Sequence, residues 1–93
     1  MNYHVIWPEP IRRQILDFYA RTVTGGGRET AELNAALTAI EETLQRTPGE
    51  AGESREGDLR AVIVSPLCVE FVVAQAERRV IVREVHYSRG RRP

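Results

Sequence analysis

The hydrophobic pattern of the chain begins with a period of two and then changes to a helical period. Residues 3–7, YHVIW, alternate between two faces, which predicts a short β-strand. Pro10 suits the first turn of a helix, where its missing N–H costs no hydrogen bond. From there to about residue 22, apolar side chains follow the spacing i, i+4, i+7 and i+8, at Ile11, Ile15, Phe18 and Tyr19. The start of the chain therefore predicts a strand followed by an α-helix.

A glycine-rich break and a second helical stripe come next. The run TVTGGG at residues 22–27 ends the first helix, because β-branched residues and glycines disfavour its continuation. A second helix is predicted over about residues 28–46, since its apolar positions form one stripe, at Leu33, Leu37, Ile40 and Leu44. Glu29 near its start and Arg46 at its end suit the helix dipole. The two helices therefore predict an αα-hairpin.

A polar loop separates the helices from the rest of the chain. Residues 48–58, PGEAGESREGD, contain three glycines, one proline and no apolar residue larger than alanine. A loop of this length is unusual in so small a domain, so the segment is a candidate functional segment.

After the loop the period returns to two, in stretches at residues 59–64, 67–74 and 79–87. The corners between them are short, which forces an antiparallel meander. The element order is then β-α-α-β-β-β, and it predicts an α+β domain with the helical hairpin packed on one face of a small, mainly antiparallel sheet. Two helices cover only one face of such a sheet, so the other face stays open to a large ligand.

The same period predicts which side chains share a face in the last strand. Arg83, Val85 and Tyr87 fall on one face, whereas Glu84 and His86 fall on the other. In a regular strand Arg83 and Tyr87 therefore point to the same side, and His86 joins them only through a bulge or at the strand's end.

Length and composition predict one globular domain over residues 1–93. The chain is 42% apolar and 28% charged, as in ordinary folded proteins. The single cysteine, Cys68, excludes an internal disulfide framework, and no Cys/His cluster has zinc-ligand spacing, so no metal or cofactor is expected. There is no signal-peptide pattern and no run near the ~20 apolar residues of a membrane span, so we expect a soluble, cytoplasmic protein.

The net charge is zero, but the charges are unevenly distributed. Residues 1–58 carry six arginines against ten acidic residues, a net charge of −4, and residues 59–93 carry seven against three, a net charge of +4. The C-terminal part is therefore the better candidate for an anion-facing surface. Residues 88–93 are expected to form a flexible basic tail. All basic residues are arginines, so no lysine can act as a general acid or base.

An ordered set of short motifs resembles the RelE/ParE superfamily of bacterial type II toxins. The set comprises VIW at residues 5–7, Leu59-Arg60, P-L-x-V-x-F at 66–71 and R-x-V-x-V-x-x-V at 78–85. GESR at residues 52–55, leading into LRAVIVSPLCVEF, is especially similar to a small RelE/ParE-like group. The resemblance spans nearly the whole chain and implies the same fold that the hydrophobic pattern predicts.

The resemblance implies the toxin component of a toxin–antitoxin system, held silent by an antitoxin whose C-terminal segment wraps it. RelE-like members cut messenger RNA on the ribosome, and ParE-like members inhibit DNA gyrase without being nucleases. Cleavage by a metal-independent endoribonuclease is the leading expectation. Gyrase inhibition is the first alternative and a catalytically silent binding protein the second. The absence of lysine and the neutral net charge count against catalysis.

Cleavage through the ribose 2′-OH requires a base, an acid and cationic donors to the phosphorane, and it needs no metal. By the resemblance, Arg60 and Arg83 hold the phosphate, Tyr87 or His86 serves as acid, base or stacking surface, and Glu53 is a weaker candidate base. Further phosphate-binding candidates are Arg55, Arg89, Arg91 and Arg92.

Structural roles are open for the same residues. Tyr87 can cap the core with its ring, and Arg60 can pair with Glu70 or Glu84 across the sheet. The open face and the positively charged C-terminal part predict a partner with an acidic or amphipathic segment.

Overall fold

Two helices pack on a five-stranded mixed sheet in the computed structural model, which describes residues 2–88. The helices are α1, Glu9–Thr22, and α2, Gly27–Arg46. The strands are β1, His4–Ile6; β2, Glu53–Ser54; β3, Leu59–Val64; β4, Leu67–Ala74; and β5, Arg79–Tyr87. The α+β class and the helical hairpin are confirmed. The basic tail expected at residues 88–93 lies, apart from Ser88, outside the described residues.

The strand order is β1-β5-β4-β3-β2, with β1 parallel to β5 and every other pair antiparallel. The predicted meander of β3, β4 and β5 is confirmed. The segment read as a loop at residues 48–58 contains two further elements, a 3₁₀ turn at Pro48–Glu50 and the strand β2. Strand β2 pairs with Arg60 and Ala61 of β3 and so extends the sheet by one short edge strand.

The apolar stripes of both helices meet one face of the sheet, as the pattern predicts. Ile11 and Phe18 of α1 and the α2 stripe, in which only Leu37 is partly exposed, pack against buried strand residues, which are Val62, Leu67, Val69, Phe71, Val80, Val82 and Val85. Val5 of β1 and the flanking Tyr3 and Trp7 pack against this core, and the Trp7 Nε1–H donates to Glu41 Oε1 at 2.7 Å. The helices therefore cover one face, and the other face has no helix on it in the described part of the chain.

One extra residue in β5 changes the faces of its second half. Glu70 of β4 pairs with Glu84, but the next residue, Phe71, pairs with Val82, so Arg83 lies in a β-bulge. After the bulge, Val85 and Tyr87 lie on the helix side, while Glu84 and His86 lie on the open side. The prediction that Arg83 and Tyr87 share a face is therefore wrong, because it assumed a regular strand.

Strand β2 depends on a glycine that approaches β3 closely. Gly52 has φ +62°, and a Cβ atom on it would lie 1.8 Å from the carbonyl oxygen of Ala61. Only glycine allows this conformation and this approach without strain.

None of the helices in residues 2–88 combines the length and the apolar run that a membrane crossing requires.

Candidate functional site

Arg60 lies on the helix side of β3 and binds the turn that precedes β2. Its register partner is the buried Phe71, and its Nε and Nη2 atoms donate to the carbonyl oxygen of Ala51 at 3.1 and 3.0 Å. Nη2 also reaches the carbonyl oxygen of Gly52 at 3.4 Å. The guanidinium group therefore fixes the chain between α2 and β2. It does not pair with Glu70, as considered above, because that side chain lies on the open face.

Arg83 borders a groove on the open face, about 460 Å³ in volume, that is rich in carboxylates. We call it the acidic groove, and its lining residues are Glu56, Asp58, Leu59, Glu70, Val72, Arg83 and Glu84. Four carboxylates against one guanidinium group give the groove a negative potential. A phosphate group would be repelled there more than it would be attracted.

Tyr87 packs on the helix side and contacts α1. Its ring stacks on the ring of Phe18, with 5.3 Å between the centroids and 22° between the planes. The Arg21 guanidinium carbon lies 5.8 Å from the centroid of the same Phe18 ring. Tyr87 therefore extends the core, which is the structural role considered above, and it does not lie beside Arg83.

His86 lies on the open face, directly opposite Cys68 in the ladder between β4 and β5. The His86 side chain is exposed. Cys68 is only half-buried, whereas a core position would bury it fully. The bulge places His86 on the same side of the sheet as Glu84, whereas Arg60 lies on the other side.

Glu53 and Arg55, two further residues that the resemblance assigns to the site, lie on and beside β2. Glu53 is exposed and forms an ion pair with Arg55, with 3.6 Å between the charged atoms. The backbone N–H of Arg55 donates to the carbonyl oxygen of Leu59 at 2.7 Å. Arg89, Arg91 and Arg92 lie outside the described residues. The structure thus divides the mapped catalytic set between two faces of the sheet and does not assemble it into one hollow.

A second depression lies between α1 and the end of β5. We call it the β5 cleft. It has a volume of about 350 Å³ and is lined by Gln14, Asp17, Phe18, Arg21, Val85, His86 and Tyr87. Gln14, Asp17 and Arg21 recur at i, i+3 and i+7 along one side of α1, a spacing that marks them as one polar flank beside Phe18. That spacing was the available sequence signal.

Burial raises the pKa of Tyr19, whose hydroxyl donates to Asn34 Oδ1 across the helical hairpin. Within residues 2–88, no group of three or more His, Cys, Asp or Glu side chains is placed to hold a metal ion. The four carboxylates of the acidic groove therefore do not form such a group.

Neither a scan against protein-family models nor a search of curated proteins finds a match for this chain. The fold and the contacts define a small α+β domain with two helices on a mixed sheet, and its described surface includes the acidic groove and the β5 cleft, which differ in charge. Within that class, membership of the RelE/ParE superfamily stays a prediction from the sequence motifs.

Proposed function

We propose that this chain is a RelE/ParE-like binding protein, the toxin-type member of a toxin–antitoxin pair. It acts by binding proteins, and the residues that the resemblance assigns to catalysis do not cut RNA. The ordered motifs and the matching order of helices and strands support the family. The observation that carries the binding role is the engagement of Arg60, whose Nε and Nη2 atoms donate to the Ala51 carbonyl.

RNA cleavage requires cationic donors that converge on one phosphate and stay free to bind it. Two donors of Arg60, Nε and Nη2, already bind the carbonyl oxygen of the buried Ala51. Arg83 lies among four carboxylates on the other side of the sheet. Tyr87 lies on the helix side against Phe18. Placement errors of even about 1 Å reduce catalysis strongly, so residues divided between two faces argue against a shared reaction centre.

Overall charge also favours a protein partner. The chain has 13 arginines and 13 acidic residues. Binding to a polyanion such as ribosomal or messenger RNA gains most of its free energy from an excess of positive charge. The acidic groove has the opposite sign, and so the open face suits a protein surface better than it suits a phosphate backbone.

Ribosome-dependent mRNA cleavage is the second candidate, and one observation favours it. Arg21, His86 and Tyr87 line the β5 cleft together, which brings a guanidinium group, an imidazole and a phenol to one depression. Cleavage at this place would use Arg21 where the resemblance assigns Arg60 and Arg83.

The test is induced expression of the whole chain in bacteria, with and without the small protein encoded next to it. We expect the two proteins to purify as a complex and messenger RNA to stay intact. Messenger RNA cut within codons, and no longer cut in His86→Ala or Tyr87→Phe, would establish the nuclease instead. Trapped gyrase–DNA breaks would identify gyrase as the target. Normal growth and no complex would refute the toxin–antitoxin role.

A further inference from the structure

The edge of β5 that faces β1 is paired along only part of its length. Strand β1 pairs with β5 at Arg79, Val80 and Ile81, whereas β4 accompanies β5 as far as Tyr87. Residues 82–87 therefore have no strand partner on the β1 side within the described part of the chain. In an antiparallel ladder about half of the N–H and C=O groups point away from the paired neighbour. This edge consequently presents main-chain donors and acceptors to its surroundings.

Helix α1 forms the opposite wall of the β5 cleft but does not satisfy these groups. Its side-chain hydrogen bonds in residues 2–88 run elsewhere, from Arg13 to Glu9, from Tyr19 to Asn34, from Thr22 to the Tyr19 carbonyl oxygen, and between Thr22 and Thr30. No backbone hydrogen bond joins α1 to β5 in that range. The edge thus lies in a walled cleft and not on a flat surface, and its hydrogen-bonding capacity is available to a ligand.

The charge of the cleft indicates what kind of chain fits it. Arg21 and Asp17 carry opposite charges on the same wall, and the stacked Phe18–Tyr87 pair supplies apolar surface. A phosphate backbone needs an excess of positive charge, which the cleft lacks. An extended peptide needs main-chain donors and acceptors with apolar contacts for alternate side chains, and the cleft offers both.

We propose that a partner protein adds an extended segment of about five residues to β5 at residues 82–87. The added strand would lie on the same edge of β5 as β1 and continue beyond its end. This inference rests on the proposed function, because the partner is the protein that the chain is proposed to bind. In an added strand, side chains alternate between the two faces of the sheet. Those on the helix side contact Phe18 and Tyr87, so the segment has apolar residues at alternate positions.

Another free edge of the sheet is less suitable. Strand β2 pairs with only two residues of β3, which leaves residues 62–64 without an outer partner in the described range. That stretch has three residues, and strand addition gains affinity with each main-chain pair. The longer, walled edge of β5 is the better acceptor.

The test selects seven-residue peptides from a displayed random library on the full chain and titrates them into ¹⁵N-labelled protein. We expect enriched peptides with alternating apolar residues and amide shift changes at residues 82–87. In an added strand, every second amide N–H points toward β5 and the others point away from it. N-methylation of the amides that face β5 should therefore abolish binding, and N-methylation of the others should preserve it. No enrichment, shifts centred on residues 62–64, or binding that tolerates both N-methylation patterns would overturn the proposal.

Two tryptophan variants separate the cleft from the rest of α1. Gln14→Trp fills the β5 cleft and should weaken peptide binding about tenfold or more, a loss of about 1.4 kcal/mol. Arg13→Trp is the matched control, since Arg13 is exposed, does not line the cleft and loses only an exposed ion pair with Glu9. Equal effects of both variants would contradict the assignment, as would a dimer formed by pairing of two β5 edges.

The two proposals can fail separately. Peptide addition at residues 82–87, without any effect of the chain on growth and without a neighbouring partner, would refute the toxin–antitoxin role and leave the strand acceptor standing. A complex with the neighbouring protein that leaves the amides of residues 82–87 unchanged would support the role and refute the cleft as its site.

Discussion

The ring of Tyr87 stacks on the ring of Phe18, with their centroids 5.3 Å apart, and this contact ties the end of β5 to α1. A hydroxyl with a catalytic role and a ring with a packing role respond differently to substitution. We expect Tyr87→Phe to retain the free energy of unfolding, because it keeps the ring. Tyr87→Ala should lose about 2–4 kcal/mol, since it removes a half-buried aromatic ring from the core.

Urea unfolding followed by circular dichroism measures both changes. His86→Ala is the matched control, because it removes the neighbouring exposed ring on the other side of the sheet, and it should stay within about 0.5 kcal/mol of the wild type. A Tyr87→Phe variant as unstable as Tyr87→Ala would show that the hydroxyl, and not the ring, stabilises the end of β5.

Arg60 holds the carbonyl oxygen of Ala51, which gives a prediction about stability. Ala51 is only 6% exposed, so water cannot readily replace the guanidinium donors. Arg60→Ala should therefore lower the free energy of unfolding by about 1–3 kcal/mol. Arg60→Lys should recover part of the loss, because one ammonium group can donate to the carbonyl but cannot reproduce the two-donor fork.

Arg55→Ala is the comparison for this effect. The Arg55 guanidinium forms an exposed ion pair with Glu53 at 3.6 Å, and exposed pairs contribute at most about 1 kcal/mol. Hydrogen exchange of residues 51–54 should rise in Arg60→Ala and stay unchanged in Arg55→Ala. An Arg60→Ala variant of wild-type stability that binds phosphate or RNA less tightly would instead restore Arg60 to a binding role.

The helices and the meander could be predicted because each follows from a local period. Ile11 and Phe18 lie in the stripe of α1, and Leu33 and Ile40 in the stripe of α2, and burial of those stripes needs no knowledge of distant partners. The parallel pairing of β1 with β5 and the two-residue strand β2 could not be read in this way. Both depend on contacts between segments far apart in sequence.

The prediction of the candidate site failed because of the β-bulge at Arg83. In a regular strand, Tyr87 would lie on the same side of the sheet as Arg83. The pairing with β4 leaves Arg83 unpaired in a bulge, so that Tyr87 lies on the opposite side. A bulge is fixed by the pairing of two strands, and nothing in the residues 79–87 alone marks it. The role of Arg60 was hidden for a similar reason, since its acceptor, Ala51, is brought to it by the turn at Gly52.

Glu70 and Glu84 lie directly opposite each other between β4 and β5, in the acidic groove. Like charges that face each other across a ladder are destabilising. We expect Glu70→Gln to raise the free energy of unfolding by about 0.5 kcal/mol at low salt. The gain should shrink in high salt, because Glu84 is exposed and Glu70 is partly exposed, so that ions screen their repulsion.

A double-substitution cycle identifies the source of this gain. With Glu70→Gln in place, Glu84→Gln should add less than it does alone, since the repelling partner has already gone. Glu77→Gln, at an exposed position in the turn between β4 and β5, controls for the loss of one negative charge. Additive effects, or a loss of stability with Glu70→Gln at every salt concentration, would show that Arg83 already neutralises the pair.

Three glycines allow the cost of conformation and the cost of contact to be separated in this chain. Gly27 begins α2 without a positive φ and with open space at its Cβ position. Gly57 has φ +61° with open space, and Gly52 has φ +62° with the Ala61 carbonyl oxygen 1.8 Å from the Cβ position. Substitution by alanine therefore imposes neither cost at Gly27, only the conformational cost at Gly57, and both costs at Gly52.

We expect Gly27→Ala to raise the free energy of unfolding by about 0.5 kcal/mol, because alanine restricts the unfolded chain and favours helix. Gly57→Ala should lower it by about 1 kcal/mol through the left-handed conformation alone. Gly52→Ala should lower it by about 3 kcal/mol or more, since β2 must also move away from β3. Urea unfolding orders the three variants, and amide exchange at Glu53 and Ser54 should rise only in Gly52→Ala. If Gly52→Ala and Gly57→Ala cost the same, the approach of β2 to β3 is not a close contact and the Arg60–Ala51 arrangement needs another support.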